Sequence, residues 1–264
     1  MDTQRKTDFT GQRVIVTGSG RGIGKAIACR FARGGARVML VARTEVELNE
    51  TRRELQAFAS EVRTVVQDLQ LPGASERIVS EVEDAWGGLD VLVTNAGAAA
   101  QGGFLELDDD VWPVGFGLKM FANVRVIKRA WPLLKKSSGH LVMIGGGTAR
   151  TPDRRLSLVS AINGGIAALS KSIAAQGTLD GIHVNLVQPG VVKTSRRRKL
   201  FEKWAMQEGM SVENYIEREA RRLEITRLGE PSDIAEVVVF LCSQESRWMQ
   251  GATVDVDGGQ NKGV

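Results

Sequence analysis

Short runs of aliphatic and β-branched residues alternate along the chain with longer segments whose apolar positions recur at helical spacing. The runs at 13–17, 37–41, 62–66, 89–94, 140–144, 182–187 and 252–256 predict strands, about seven in all. Between them the spacing predicts helices over 23–33, 45–58, 74–86, 157–177 and 231–242. Gly34 and Gly35 end the first of these, and Pro231 opens the last at a position where proline fits. A long helical region at 109–135 is expected to be interrupted early by Pro113, Gly115 and Gly117. Strand–helix alternation of this kind predicts an α/β fold, a parallel sheet covered on both faces. Right-handed crossovers leave the doubly wound sheet as the simplest topology. No repeat, linker or low-complexity stretch interrupts residues 1–264, which read as a single domain. One segment breaks the rhythm. Residues 191–228 are long, mostly helical and basic, with Arg196-Arg197-Arg198-Lys199 and later Arg221-Arg222. They follow a strand end, where such sheets bind ligands, and are expected to form a mobile helical lid. The alternative is a surface insertion with a solvated basic face.

The first strand and first helix are joined by Thr17-Gly18-Ser19-Gly20-Arg21-Gly22-Ile23-Gly24. Glycine lets the backbone turn sharply and approach a ligand closely. The helix start presents free N–H groups and partial positive charge to a pyrophosphate. The spacing is Gly18-x-x-x-Gly22-x-Gly24, with Ile23 where the last glycine of G-x-G-x-x-G would stand. Cofactor choice follows from the end of the second strand. An NAD enzyme usually carries an acid there for the ribose 2′-OH. This chain has Val41-Ala42-Arg43-Thr44. Arg43, helped by Arg21, can meet a 2′-phosphate bidentately, so NADP(H) is favoured over NAD(H).

Composition changes this picture little. The chain is 42% hydrophobic and 25% charged, which is ordinary globular composition. A net charge of +4 is too small at this length to argue for nucleic acid, but it suits an anionic cofactor or ligand. Cys29 and Cys242 form neither a disulfide framework nor a metal cluster and are expected as reduced, buried thiols. Residues 1–10 are polar, without the apolar core of a secretory signal. No apolar run approaches the roughly 20 residues of a membrane span. A cytoplasmic protein is expected.

The motifs together resemble the short-chain dehydrogenase/reductase superfamily nearly end to end. They are the Thr17–Gly24 turn, Asp68-Leu69, Asn95-Ala96-Gly97, Asn185, Pro189-Gly190 with Thr194, and Asp257-Gly258-Gly259. The resemblance implies that Asp68 and Leu69 lie by the adenine. It implies that Asn95, Ala96 and Gly97 support the sheet and the adenine ribose. Pro189, Gly190, Val192 and Thr194 would hold the nicotinamide end. It further implies dimers or tetramers packed through the long helices and the last strand.

Members of that superfamily normally work with an Asn-Ser-Tyr-Lys tetrad. By local pattern, Tyr falls on Val159, Lys on Asn163, Ser on Gly146 and Asn on Lys119, so all four are replaced. Tyr215, the one tyrosine, lies in the basic insertion, and no Tyr-x-x-x-Lys exists elsewhere. Asn123, one helical turn beyond Lys119, is a partial substitute for the Asn. Lys119 is the one new reactive group, able if desolvated to act as acid, base or Schiff-base amine. Its alternative is a lysine turned to solvent or paired with the Asp108–Asp110 run. Asn163 can still bond a nicotinamide ribose hydroxyl. His140 and His183 are expected to be structural. Three readings follow. One is an NADP(H)-dependent oxidoreductase with altered or weakened carbonyl chemistry, acting on a small substrate, with the basic segment favouring an anionic one. Another is a non-catalytic NADP(H)-binding partner or sensor. The last is a lyase or hydrolase using Lys119.

Overall fold

A computed structural model describes residues 8–59 and 61–263, so most of the polar stretch 1–10 lies outside the described residues. The strands are β1 (Arg13–Thr17), β2 (Arg37–Ala42), β3 (Glu61–Val66), β4 (Val91–Thr94), β5 (His140–Ile144), β6 (His183–Pro189) and β7 (Thr253–Val256). They form one sheet in the order β3-β2-β1-β4-β5-β6-β7. Every pairing is parallel. The order reverses direction between β1 and β4, the place where a doubly wound sheet opens a crevice at its strand ends.

Nine α-helices are present among the described residues: α1 (Gly22–Arg33), α2 (Glu45–Leu55), α3 (Ala74–Trp86), α4 (Val111–Phe116), α5 (Ala122–Ser137), α6 (Ser157–Asp180), α7 (Ser195–Gln207), α8 (Val212–Arg222) and α9 (Pro231–Leu241). The central strands are apolar on both sides because both faces are covered. In β1, Val14 and Val16 join Ile27 and Phe31 of α1 and Ile234 and Val238 of α9. Ile15, between them, points the other way, toward Ile78 of α3, Val126 of α5 and Ile166 of α6. This alternation by residue turns one strand into the centre of two cores.

Four details differ from the sequence reading. Helix α2 ends at Leu55 instead of 58, since Phe58 is exposed and lies beneath the Arg33 guanidinium at 5.2 Å. Pro113, Gly115 and Gly117 do not break the helical region. Pro113 stands in the first turn of α4, where a proline removes no helical hydrogen bond. Gly115 lets α4 press on α6, as a Cβ there would stand 3.0 Å from Leu158 Cδ2. A π-helical turn, Gly117–Phe121, then links α4 to α5. Helix α6 is long and apolar enough to cross a membrane by length and composition, contrary to the expectation that no such segment exists. It lies along the sheet, burying Leu158, Ile162, Ile166 and Ala174 in the core. Cys242 is buried as expected, whereas Cys29 is only half-buried.

The segment 191–228 holds α7 and α8. Thr194 and Ser211 cap them, each hydroxyl accepting from the N–H three residues on at 3.2 Å. Phe201, Ala205, Tyr215, Ala220, Ile225 and Leu228 form a small core of their own. The segment is pinned at its base, where Lys193 N donates to Gly229 O at 2.8 Å and Gly229 N to Val191 O at 3.0 Å.

Candidate active site

The glycine-rich turn is held in shape by its neighbours. Gly18 N donates to Val41 O at 2.7 Å. Ser19 is buried, and its hydroxyl accepts from Val41 N at 2.9 Å, so its side chain serves the turn. Thr51 of α2 donates to Gly20 O at 3.0 Å. On the other side, Asn95 Nδ2 donates to Thr17 O at 3.0 Å and Gly18 O at 3.2 Å. Thr17 Oγ1 accepts from the N–H groups of Asn95 and Ala96, both at 3.0 Å. Asn95 and Ala96 thus clamp the β4 end to the β1 end.

Two glycines are compulsory here. Gly18 has φ +67°, and a Cβ on it would stand 2.9 Å from Ala96 Cα. A Cβ on Gly24 would stand 2.3 Å from Gly18 O. Helix α1 then starts with no side-chain cap on its first turn, leaving N–H groups for a ligand. A narrow backbone cradle, an uncapped helix start and the sheet's reversal point fit a dinucleotide pyrophosphate.

Most of the other positions singled out in the sequence lie at the C-terminal ends of the strands. Arg43 follows β2, is exposed and has no ion-pair partner among the described residues. Arg21 instead pairs with Glu47 at 2.8 Å. Asp68 accepts from Gln70 N at 2.9 Å, and Leu69 is buried in the core. At the β6 end, a Cβ on Gly190 would stand 2.7 Å from Asp257 Cβ, so Pro189-Gly190 and the Asp257 turn pack closely. Val192 is buried. Thr194 brings α7 to the glycine turn, its methyl 3.3 Å from where a Gly22 Cβ would be. Asn185 is structural, bonding Met249 O at 3.1 Å and Ala252 N at 2.9 Å.

Beside the cradle, two residues 44 apart in the chain meet. Lys119 Nζ donates to Asn163 Oδ1 at 2.6 Å and approaches Gly145 O at 3.4 Å. Asn163 Nδ2 donates in turn to Thr148 Oγ1 at 2.8 Å. Lys119 projects from the π-helical turn, a geometry frequent at functional sites. Its stem crosses Gly97, where a Cβ would stand 2.6 Å from Lys119 Cγ. Gly146 makes the matching room for Asn163, as a Cβ there would stand 2.6 Å from Asn163 Nδ2. Burial lowers the Lys119 pKa to about 8, with the nearby charge of Arg196 adding to the effect. The reading of Lys119 as solvated or paired with Asp108–Asp110 is therefore set aside.

The bonds fix more than the lysine. Both ends of the Asn163 amide are engaged, so Thr148 accepts from it and keeps its own hydroxyl hydrogen to donate elsewhere. Thr148 escaped the sequence reading. The only signal was a hydroxyl two residues after Gly146 at a strand end. Asn123 does not join this row, bonding Lys119 O at 2.8 Å and Ala96 O at 3.4 Å. Tyr215 is distant in role as well as sequence. It packs with Phe201 and Trp204 in the small core between α7 and α8, centroids 5.6 and 6.1 Å away. His140 and His183 stack at 4.9 Å at the first residues of β5 and β6, the end of the sheet away from the site.

A family model described as enoyl-(acyl carrier protein) reductase matches residues 18–261. A dehydrogenase/reductase SDR family member 4 of Oryctolagus cuniculus is 30% identical over 257 residues, covering 97% of this chain and 95% of that one. The L-sorbose reductase of Gluconobacter frateurii, solved with NADPH and L-sorbose, superposes with a TM-score of 0.94 at 29% identity, covering 98% and 100% of the two chains. An NADPH-bound short chain oxidoreductase of Pseudomonas aeruginosa PAO1, described as containing an atypical catalytic center, gives 0.89 at 27% identity, covering 97% and 99%. Sheet order, glycine cradle and these likenesses along almost the whole chain agree: the chain belongs to the short-chain dehydrogenase/reductase superfamily.

Proposed function

We propose that the protein is an NADP(H)-dependent oxidoreductase for small carbonyl or hydroxyl compounds in which Lys119 does the acid–base work usually given to tyrosine. The observation that carries this is the 2.6 Å bond between Lys119 and Asn163. In the alignment by motif, lysine and asparagine have exchanged places, and their side chains still meet. An ammonium is thereby kept in the pocket although the helix that supplies it has changed.

Gly18, Gly20, Gly22 and Gly24 with Ile23 and the α1 start would hold the pyrophosphate. Arg43 and Arg21 would hold the 2′-phosphate, with Arg21 leaving Glu47. Asp68, Leu69, Asn95, Ala96 and Gly97 would flank the adenosine. Pro189, Gly190, Val192 and Thr194 would flank the nicotinamide, and the NADPH complexes of two relatives support NADP(H). When bound, the nicotinamide supplies or accepts the hydride. Thr148 Oγ donates a hydrogen bond to the substrate oxygen. Lys119 Nζ gives that oxygen a proton as it gains charge, and the neutral amine is reprotonated from water. A group with a pKa near 8 suits this, since it is mostly protonated at neutral pH yet gives its proton up readily. Asn163 aligns the two donors. The α7–α8 segment would act as the lid, and copies of the chain would associate as dimers or tetramers in the cytoplasm.

The test is NADPH oxidation with a panel of aldehydes and ketones. Lys119→Met is expected to lower kcat by about 10²–10⁴-fold while the NADPH Kd, read by fluorescence, stays near wild type. Unchanged turnover in that variant would remove Lys119 from the mechanism. A second reading, an NADP(H)-binding partner or sensor without turnover, is favoured by Val159 at the tyrosine position and by the packing of Tyr215. It predicts tight NADPH binding with no oxidation by any panel member in the wild type.

A further inference from the structure

Resting on that reading, the place of the Lys119 ammonium depends on more than the atoms it touches. A lysine stem is flexible, so its end is fixed only if its Cα is also held. Asn163 Oδ1 and Gly145 O receive the ammonium, and the stem lies over Gly97. The Cα belongs to the π-helical turn Gly117–Phe121, where Ala122 N donates to Gly117 O, five residues back. Helix α5 then resumes four-residue spacing. The carbonyls between the two spacings are therefore one backbone N–H short. A carbonyl left without a donor away from water disfavours the fold. A lysine at position 163 would stand within regular α6, where the spacing serves every carbonyl. At position 119 it stands at the irregularity.

Asn123 supplies a donor there. Its side chain, one turn beyond Lys119, is buried at the start of α5, and Nδ2 donates to Lys119 O at 2.8 Å. The same Nδ2 reaches Ala96 O at 3.4 Å. Ala96 N donates in turn to Thr17 Oγ1 at 3.0 Å, so the amide joins the lysine's backbone to the strand end that clamps the glycine turn. The other end of the amide is idle. Oδ1 is buried and has no hydrogen-bond partner among the described residues. Burying an unpaired oxygen is unfavourable, and an aliphatic side chain at 123 would avoid it. An aliphatic side chain cannot donate to Lys119 O. The donor end is used twice and the acceptor end not at all, which marks a group present for its donor.

We infer that Asn123 is a positioning residue, whose amide braces the π-helical turn at Lys119 O and so fixes the Lys119 ammonium on Asn163. It touches neither substrate nor cofactor and acts through Lys119 alone.

The test reads Lys119 directly, by NMR titration of its Cε resonance in lysine-labelled protein, with Lys119→Met identifying the signal. The wild type is expected to titrate near pH 8. In Asn123→Ala the turn loosens and water reaches the ammonium, so the midpoint rises toward the ordinary 10.5 of lysine. The charge that bears on Lys119 is that of Arg196, and Asn123 has none, so the rise reports position and not a lost charge. Asn123→Leu, of similar shape but without a donor, is expected to titrate like Asn123→Ala. Asn123→Ser is expected to titrate like the wild type, because a helical serine hydroxyl donates to the carbonyl four residues back. With a carbonyl compound that the wild type reduces, kcat should fall about 10- to 100-fold in the Ala and Leu variants and recover in the Ser variant, while the NADPH Kd stays within about twofold. Added to Lys119→Met, Asn123→Ala should cost no further turnover. The inference is overturned if the wild type already titrates near 10.5, or if the Ala and Leu variants still titrate near 8. It is overturned equally if Asn123→Leu behaves as wild type, which indicates space-filling only, or if Asn123→Ala costs as much turnover in Lys119→Met as in the wild type. If Asn123→Ala fails to fold by circular dichroism, Asn123→Leu and Asn123→Ser carry the test. The titration needs no substrate, so a wild type that reduces no panel member ends the oxidoreductase reading and leaves the brace to be judged on the resonance.

Discussion

Lys119 illustrates how much of a residue's chemistry is set by what surrounds it. In the sequence it is a lysine in an irregular helical region. In the fold its half-buried stem runs over Gly97 and its ammonium ends on Asn163 and Gly145 O. Its lowered pKa gives a signed prediction. Reduction needs the ammonium, so kcat/KM with NADPH should be flat below about pH 8 and fall about tenfold per unit above it. Oxidation of the alcohol needs the amine and should rise through the same pH. A pH–rate profile in both directions checks this, and a reduction rate that climbs above pH 8 contradicts the assignment. Arg43 carries the second residue-scale prediction. Exposed and unpaired at the end of β2, it is available to a 2′-phosphate. Arg43→Glu should weaken NADPH at least tenfold, about 1.4 kcal/mol, and leave NADH binding equal or better. Fluorescence titration of both cofactors reads the difference, and equal losses for the two would refute a phosphate contact.

At the scale of elements, the strand–loop–helix joint between β1 and α1 was legible because its constraints are local. A backbone that must turn, approach Asn95 and Ala96, and enter a helix requires glycine at Gly18 and Gly24, and the sequence shows them. Gly24→Ala would push a methyl into Gly18 O. The expected cost is about 1–3 kcal/mol of stability together with loss of NADPH binding, measured by urea unfolding and titration. A variant as stable and as tightly binding as wild type would show that the cradle can relax. The π-helical turn at Gly117–Phe121 was not legible. Pro113, Gly115 and Gly117 read as breakers by propensity. Their actual roles depend on position in the first turn and on contact with α6, neither of which is encoded locally.

At the scale of the molecule, the stacked His140–His183 pair joins β5 to β6 far from the site. Burial first, and the neighbouring His183 second, lower the His140 pKa to about 4, and its Nδ1 is buried without a partner. The folded state therefore prefers neutral His140, while the unfolded chain protonates near 6.5. Its contribution to stability is complete above pH 6.5 and is lost as the pH falls from 6.5 through 4. His140→Phe should flatten that part of the stability curve in denaturant melts between pH 7 and 4. An unchanged slope would show that the pair is already solvated in the native state.

The sequence by itself determined the layers, the seven strands and the glycine-rich turn between β1 and α1. Periodicity and glycine spacing are local properties, and a parallel sheet buried on both faces leaves them few other arrangements. Only the tertiary structure brought Lys119 to Asn163, and Asn163 to Thr148. These groups come from an irregular turn, a helix and a strand end far apart in the chain. Their distances, and the desolvation that alters their charge, exist only once the sheet has gathered them at one edge.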